Sequence, residues 1–482
     1  MEKLFNKYIY YLIALACSIF FLVVKNDPFH GDAVTSTAKV ALNIYDNNLQ
    51  TIWYPPLADP GHPTLFPYLL AVCWTIFGKS LWVAHALIIL IGFCTILVLR
   101  KIALLFTTET KANTAVLLSC MYSVFVAQQA LLLNTPLFFL WVLLCLYSLI
   151  TKRTVLFIVS SVLMEITHLQ ANFFLLAFGF IYAYQCYETK QNFGTFVKNG
   201  LMLFLPASIT LALWLWAHQM HFGWAFLSPN YTEHNNIKGT GQFIQSVFLI
   251  IWRLVDNGML IPYMLFIYVW AKKQINKKLF IYTAIILLVN SICMAVFLYN
   301  TIGHRYFLIS QFMVLLLVIA GLPKIKWPFI TMMASLLIGN YMYYPGKVIA
   351  DSNLQYRSFF AIEKRIMHDF GDSLFYSYAP ISTGGDIRYL DKQKGLNIQP
   401  LNDLNMDALP MLLQSNVNAE FTKPQRDSLY KNWHGHTYEQ GAIYVNVFLN
   451  PAYNKKPAWF HLREPSWFEM QLQSLKYKIR GE

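Results

Sequence analysis

The sequence predicts an α-helical polytopic membrane protein of about eleven transmembrane helices, followed by a small extracytoplasmic C-terminal α/β domain. Three observations predict it. Of 482 residues, 56% are hydrophobic and only 13% charged, at a mean hydropathy of +0.43; soluble domains carry about 25% charged residues. Apolar runs approaching the ~20 residues needed to cross hydrocarbon recur through the first 343 positions. Lys and Arg collect on alternate connections between those runs, as the positive-inside rule requires. Aromatic residues, 16% of the chain, suit anchoring at two membrane interfaces.

In chain order the predicted spans are 8–24, 80–99, 112–130, 135–150, 154–167, 171–187, 200–217, 258–271, 279–298, 306–322 and 327–343. The first follows Lys3 and Lys7, as a signal peptide would. No small-x-small cleavage site comes next, and Lys25-Asn26-Asp27-Pro28 does, which predicts a retained span. Stretches 33–47, 64–77 and 243–255 are also apolar; as full spans they would break the charge alternation, so each is expected to be a helix lying along the interface. With the N-terminus in the cytoplasm, the inner side carries Lys3, Lys7, Arg100, Lys101, Lys111, Lys152, Arg153, Lys190, Lys198, Lys272, Lys273, Lys277, Lys278, Lys324 and Lys326. Up to residue 343 the outer side carries Lys25, Lys39, Lys79, Lys238, Arg253 and Arg305. This arrangement also places the hydrophilic tail, 344–482, outside.

The tail begins at a break, Tyr343-Tyr344-Pro345-Gly346. Asn353 to Phe370 has apolar residues at helical spacing, and Ser373–Tyr378 and Ala442–Leu449 read as strands rich in Tyr, Val and Phe. The predicted domains are therefore 1–343 and 344–482. All seven cysteines lie in apolar stretches, which leaves no disulfide framework and no zinc spacing. The net charge of +13 is explained by topology, and no nucleic-acid-binding motif accompanies it.

Titratable residues crowd the outer side. His30, His62, His168, His218, His221, His234 and His304 fall at outer loops or span ends, with His85 nearby. Asp27, Asp32, Asp46, Asp59, Glu165, Glu233 and Asp256 do likewise, while the inner loops hold no histidine. Such groups suit proton transfer and phosphate binding. Asp32, after Gly31, is the leading candidate base. It also precedes a helical face of residues 34, 38, 41 and 45, so it fits an N-cap, and the two roles are compatible. Arg305, between His304 and Tyr306, suits a phosphate contact better than a snorkelling anchor. His62 suits either a ligand contact or ordering of the Pro60–Pro63 turn. His218 and His221 have no third metal ligand nearby, which favours a structural role. His434-Gly435-His436 is expected in a surface loop.

Several motifs in this order resemble a family. They are Gly31-Asp32 in the first outer loop, then His62-Pro63-Thr64-Leu65-Phe66-Pro67-Tyr68-Leu69-Leu70, then Ile76-Phe77-Gly78 before a new span. Asn134-Thr135-Pro136-Leu137, Glu165-Ile166-Thr167-His168, Tyr231-Thr232-Glu233-His234 and His304-Arg305-Tyr306-Phe307-Leu308 follow. The pattern, over most of 1–343, resembles the bacterial GT-C glycosyltransferases. The nearest branch is glycosyltransferase family 39-like: protein O-mannosyltransferases and the lipid A aminoarabinose transferase. The resemblance implies a GT-C-like fold in the bacterial inner membrane. It further implies inverting transfer of a sugar from a polyprenyl-phosphate donor to a glycan, lipid or protein acceptor outside the cytoplasm.

On this reading Asp32 would be the base, and His62, His168, Glu233, His234, His304, Arg305 and Tyr306 would bind substrate. Arg305 and His304, with Lys238 or His168, would meet the donor phosphate, and the loop 218–242 would fold over the site. Two positions depart from the family pattern. Ala33 stands where many relatives have a second acid, which disfavours a divalent metal; His168 stands where a Lys is common. No other cofactor and no nucleic-acid partner is expected. An O-antigen ligase or polymerase would rely on outer-loop arginines, which are few here. A non-enzymatic transporter would show internal repeats and ionisable residues at mid-membrane.

Overall fold

The computed structural model describes residues 2–53, 62–225, 240–297, 302–341, 352–377, 396–401, 405–415, 421, 423–441 and 443–463. It divides into two compact units. One comprises Met1–Asn26 and Thr35–Tyr341; the other comprises Asp27–Val34 and Met342–Glu482. The division differs from the sequence boundary at 343/344 chiefly in assigning the eight-residue segment before the second helix to the tail unit.

The first unit is helical. Its elements are α1 (Glu2–Val24), α2 (Lys39–Asp46), α3 (Leu65–Phe77), α4 (Leu81–Leu104), α5 (Glu109–Met121), α6 (Ser123–Ala130), α7 (Thr135–Ile150), α8 (Thr154–Glu165) and α9 (Ala171–Glu188). They continue with α10 (Phe193–Phe222), α11 (Thr240–Val255), α12 (Leu260–Ala271), α13 (Lys277–Phe297), a 3-10 turn His304–Phe307, α14 (Leu308–Gly321) and α15 (Lys326–Tyr341). A π turn, Val34–Ala38, precedes α2. Helices α3 and α11 occupy two of the stretches read as interfacial helices.

By length and composition, four helices among the described residues could cross a membrane: Leu81–Leu104, Phe193–Phe222, Lys277–Phe297 and His304–Gly321. The number is up to six if each of two bent pairs is one span. Tyr8–Val24, Leu65–Phe77 and Thr154–Glu165 are apolar but shorter. Eleven apolar runs therefore do not become eleven long helices, because hydropathy counts apolar residues and is blind to turns within a run. The expected span 112–130 is one such case. It is two helices, α5 and α6, separated at Tyr122, whose ψ of 117° is extended. Ser123–Ala130 then meets Thr135–Ile150 at 120°, with Pro136 in the first turn of α7. The second bent pair, Gly241–Val255 and Leu260–Ala271, turns through 88°. There Asn257 has φ 53° and Gly258 φ 83°. A Cβ on Gly258 would lie 2.2 Å from the Ser335 carbonyl oxygen of α15, so backbone meets backbone at this turn.

Two basic residues of the expected cytoplasmic side tie helix ends together. Arg100 on α4 donates to Asn113 (2.8 Å), Glu109 (2.5 Å) and the Tyr10 hydroxyl (2.6 Å). Lys111 donates to the Ala320 and Leu322 carbonyls at 3.0 and 2.7 Å, satisfying the C-terminal end of α14.

The second unit is built on a five-stranded sheet: β1 (Leu374–Ser377), β2 (Asn397–Pro400), β3 (Met411–Ser415), β4 (His434–Gln440) and β5 (Ile443–Leu449), in the order β2-β1-β3-β5-β4. β1 pairs parallel with β2 and β3, and β5 antiparallel with β3 and β4. Helices α16 (Arg357–Phe370) and α17 (Lys423–Asn432) complete it. Leu401, Leu412, Phe421, Trp433 and Phe448 form its core. The helix and the two strands expected from sequence are present. The expected surface loop His434-Gly435-His436 is a correction: it opens strand β4. A Cβ on Gly435 would come within 2.8 Å of Leu462, so this glycine marks close packing.

Candidate active site

Three separated stretches of the first unit converge on one imidazole. Helix α8 ends at Glu165, and the chain turns through Ile166–Gln170 before α9. The turn holds itself by Thr167 N–H and His168 N–H donating to the Met164 carbonyl, at 3.1 and 3.3 Å. Leu65 N–H donates to the Ile166 carbonyl (3.2 Å), docking the start of α3, and the Asn134 amide donates to the Thr167 carbonyl (3.3 Å), docking the start of α7. As a result the His62 ring stacks on the His168 ring at 4.1 Å between centroids and 28° between planes. Phe138 packs on the same ring at 5.1 Å, and Tyr306 meets it edge-on at 6.4 Å.

The 3-10 turn His304–Phe307 supplies the rest. The Arg305 guanidinium lies 5.2 Å over the Tyr306 ring and donates to its hydroxyl at 3.3 Å. His304, fully buried, points elsewhere: its Nε2 lies 2.8 Å from Asp256 Oδ2. Arg253 Nε donates to the Ile302 carbonyl (3.1 Å) just upstream. The Tyr306 carbonyl accepts from Gln170 Nε2 (3.1 Å) and Asn290 Nδ2 (3.0 Å), while Gln170 Nε2 also donates to Asn290 Oδ1 (3.0 Å).

The electrostatics of His168 follow from this packing. Burial, then the neighbouring His62 and the Arg305 charge, hold its proton affinity well below the usual imidazole value. Its Nδ1 accepts the Gln170 backbone N–H at 3.0 Å. A neutral ring with Nδ1 so occupied carries its proton on Nε2 and is an uncharged hydrogen-bond donor there. The cluster thus offers one permanent cation, Arg305, beside a neutral donor.

The remaining candidates divide. Asp32 belongs to the second unit and is exposed. It sits in the first helical turn after Gly31 (φ 58°), where Ala33 N–H donates to the His30 carbonyl and Val34 N–H to the Gly31 carbonyl. Glu233 and His234, with Lys238, lie outside the described residues. His218 and His221 make packing contacts within the helical unit. His218 Nδ1 lies 2.7 Å from the Trp224 carbonyl oxygen, and His221 stacks on Trp53 at 4.7 Å. Among the described residues no group of three His, Cys, Asp or Glu side chains is placed to hold a metal ion. Glu165, 1% exposed, has neither carboxyl oxygen hydrogen-bonded among the described residues.

Sequence reasoning missed Gln170 and Asn290. Asn290 carried a signal, being a polar amide within an apolar run. Gln170 carried none beyond its place two residues after His168.

No family model matches the chain, and no curated protein matches it. Two solved structures of ArnT from Cupriavidus metallidurans are similar. The form bound to undecaprenyl phosphate is 11% identical and covers 90% of this chain and 97% of that one, at a TM-score of 0.45. The apo form is 11% identical and covers 93% and 99%, at a TM-score of 0.49.

Proposed function

We propose that this chain is an integral-membrane glycosyltransferase that moves a sugar from a polyprenyl-phosphate donor to an acceptor hydroxyl or amine. The reaction would take place on the outer face of a bacterial inner membrane, with the N-terminus cytoplasmic and the tail unit outside. One observation carries the reading: His62, His168, Arg305 and Tyr306, from three distant stretches of an apolar chain, gather in one cluster. Two imidazoles and a guanidinium crowded together repel if all are charged, an arrangement that suits an anionic ligand.

The chemistry follows from the donor's charge. A sugar linked through a phosphodiester to a prenyl chain carries one negative charge, and the phosphomonoester that departs carries a second. Arg305 and the His168 Nε2–H would bind the phosphate and hold it more tightly as that charge develops, which lowers the barrier to departure. Asp32 would take the proton of the acceptor nucleophile. The nucleophile attacks the anomeric carbon, the bond from that carbon to the phosphate oxygen breaks, and the phosphate keeps the electron pair. A single displacement inverts the anomeric centre. His304 is placed to steady the turn that carries Arg305 rather than to touch phosphate.

The test is transfer from a polyprenyl-phosphate sugar by the purified chain in detergent or liposomes. Arg305→Ala should lower kcat/KM by about 10²- to 10³-fold, the usual consequence of losing a charge-stabilising donor. Near-normal transfer by that variant would overturn the reading. A second reading, transport, draws on the two bent helix pairs and the pair of buried His304 with Asp256 at one of the bends. The liposome assay separates them: a transporter delivers the sugar lipid unchanged to the other leaflet, whereas a transferase consumes it.

A further inference from the structure

We infer that Gln170 and Asn290 are positioning residues that lock the Arg305–Tyr306 turn to the His168 turn, so that the cation and the neutral donor of the phosphate cluster face one ligand. This rests on the glycosyltransferase reading above.

The two amides form a closed set. The Tyr306 backbone carbonyl can only accept, so the groups facing it must be the NH2 ends of Gln170 and Asn290. With Asn290 Nδ2 so committed, its Oδ1 is left to receive the second Gln170 donor, as observed at 3.0 Å. Reversing one amide would set two NH2 groups or two oxygens against each other; reversing both would set two oxygens against the carbonyl. The set therefore has one arrangement. Both residues are buried, Gln170 at 6% exposure and Asn290 at 1%, where a satisfied network is rigid and a broken one is costly.

Gln170 also works from its backbone. Its N–H is the donor that occupies His168 Nδ1 and so leaves the imidazole proton on Nε2. A single residue thus sets the tautomer of His168 and, through its side chain, the position of the Tyr306 carbonyl. The second tie on the same turn, His304 to Asp256, comes from the turn between α11 and α12 and holds the turn's first residue. Asn290 stands on α13, in the middle of an apolar run, and the only polar work visible for it among the described residues is this one.

The test uses the full chain and a polyprenyl monophosphate in detergent micelles, with the corresponding polyprenol as the control lacking phosphate. Gln170→Met and Asn290→Leu keep the shape and remove the donors, and Gln170→Met retains the backbone N–H to His168. Each should weaken monophosphate binding by about 10- to 100-fold, the scale expected when a contact is misplaced by about an ångström, and should leave polyprenol binding unchanged. In an Arg305→Ala background the same substitutions should add less than about twofold, because a residue acting through Arg305 has nothing left to position. Equal losses in both backgrounds would mean a merely structural role and would overturn the inference. So would wild-type binding by both variants when Arg305→Ala alone binds weakly, a result that leaves the glycosyltransferase reading standing. Unaltered binding by Arg305→Ala would remove that reading and this one with it. If either apolar variant fails to fold, Gln170→Asn and Asn290→Ser retain a donor on a shorter arm; an intermediate loss supports the inference and no loss overturns it.

Discussion

The His168 cluster of the helical unit and the tail unit use histidine in different ways. In the helical unit His168 is stacked on another imidazole with Arg305 close enough to depress its proton affinity, and its Nδ1 is filled by a backbone N–H. In the tail unit His30 lies against three rings, Tyr356 at 5.2 Å, Phe359 at 5.6 Å and Phe360 at 5.8 Å. His436 likewise meets Tyr438 and Trp459, both at 4.6 Å. A ring packed among rings is core. An imidazole that burial and a nearby guanidinium keep neutral is an uncharged donor beside a permanent cation, a pair that suits an anion.

The most severe test of this division concerns Asp32, the tail-unit carboxylate proposed as the base. Asp32→Asn should cut transfer by about 10²- to 10⁴-fold, the range for loss of a general base, with polyprenyl monophosphate binding retained. Full transfer by the variant would confine the chemistry to the helical unit. The converse test is Arg357→Ala. Arg357 Nε lies 2.7 Å from Asp27 Oδ2 and ties the 27–34 segment to α16. Burial raises the Asp27 carboxyl's proton affinity against the pull of Arg357 and then Lys364. Removing the guanidinium should cost the tail unit about 1–2 kcal/mol, toward the low end because the arginine is partly exposed. Limited proteolysis or hydrogen exchange of α16 would report it, while monophosphate binding should stay within about twofold.

His168 sharpens the comparison through pH. Its folded proton affinity is depressed, so the stability it contributes is complete above the unfolded value, about 6.5. That stability drains as pH falls, because the unfolded chain takes up a proton that the folded one refuses. The loss can reach about 1.4 kcal/mol per pH unit. His168→Phe should flatten the fall of Tm between about pH 6.5 and about pH 5; an unchanged slope would show that His168 is not the group responsible. The smallest effect is expected at His221. His221→Ala should cost only about 0.5–1.5 kcal/mol, the worth of its stack on Trp53, and Tm should not respond to added zinc in either protein.

Much of the fold was legible because period and composition are local. The helical runs, the helix after Asn353 and the strands at Leu374–Ser377 and Ile443–Leu449 follow from residue patterning alone. β2 and β3 were missed because Asn-Ile-Gln-Pro and Met-Leu-Leu-Gln-Ser hold few β-branched or aromatic residues, and β4 because His-Gly-His carries no strand signal until Leu462 packs on the glycine. The break at Tyr122 was missed because no Pro or Gly marks it. The π turn before α2 was missed as well. Of the predicted face of residues 34, 38, 41 and 45, Val34, Ala38 and Ala41 are nonetheless buried, and Tyr45 packs against the cluster of Val40 and Ile44. In the site, His62, His168, Arg305 and Tyr306 were named from sequence, and the structure gathers them. It turns His304 toward Asp256.

By itself, the sequence determined that the first part of this chain is helical and apolar, that titratable side chains collect at helix ends, and which basic and imidazole groups could meet a phosphate. Those properties depend on residue type and short-range periodicity. Only the tertiary structure decided which of them meet. The His62–His168 stack and the Gln170–Asn290 clamp on the Tyr306 carbonyl join distant residues, Gln170 and Tyr306 being 136 positions apart. Such contacts depend on where turns dock and which buried acceptor must be satisfied, and no local pattern encodes either.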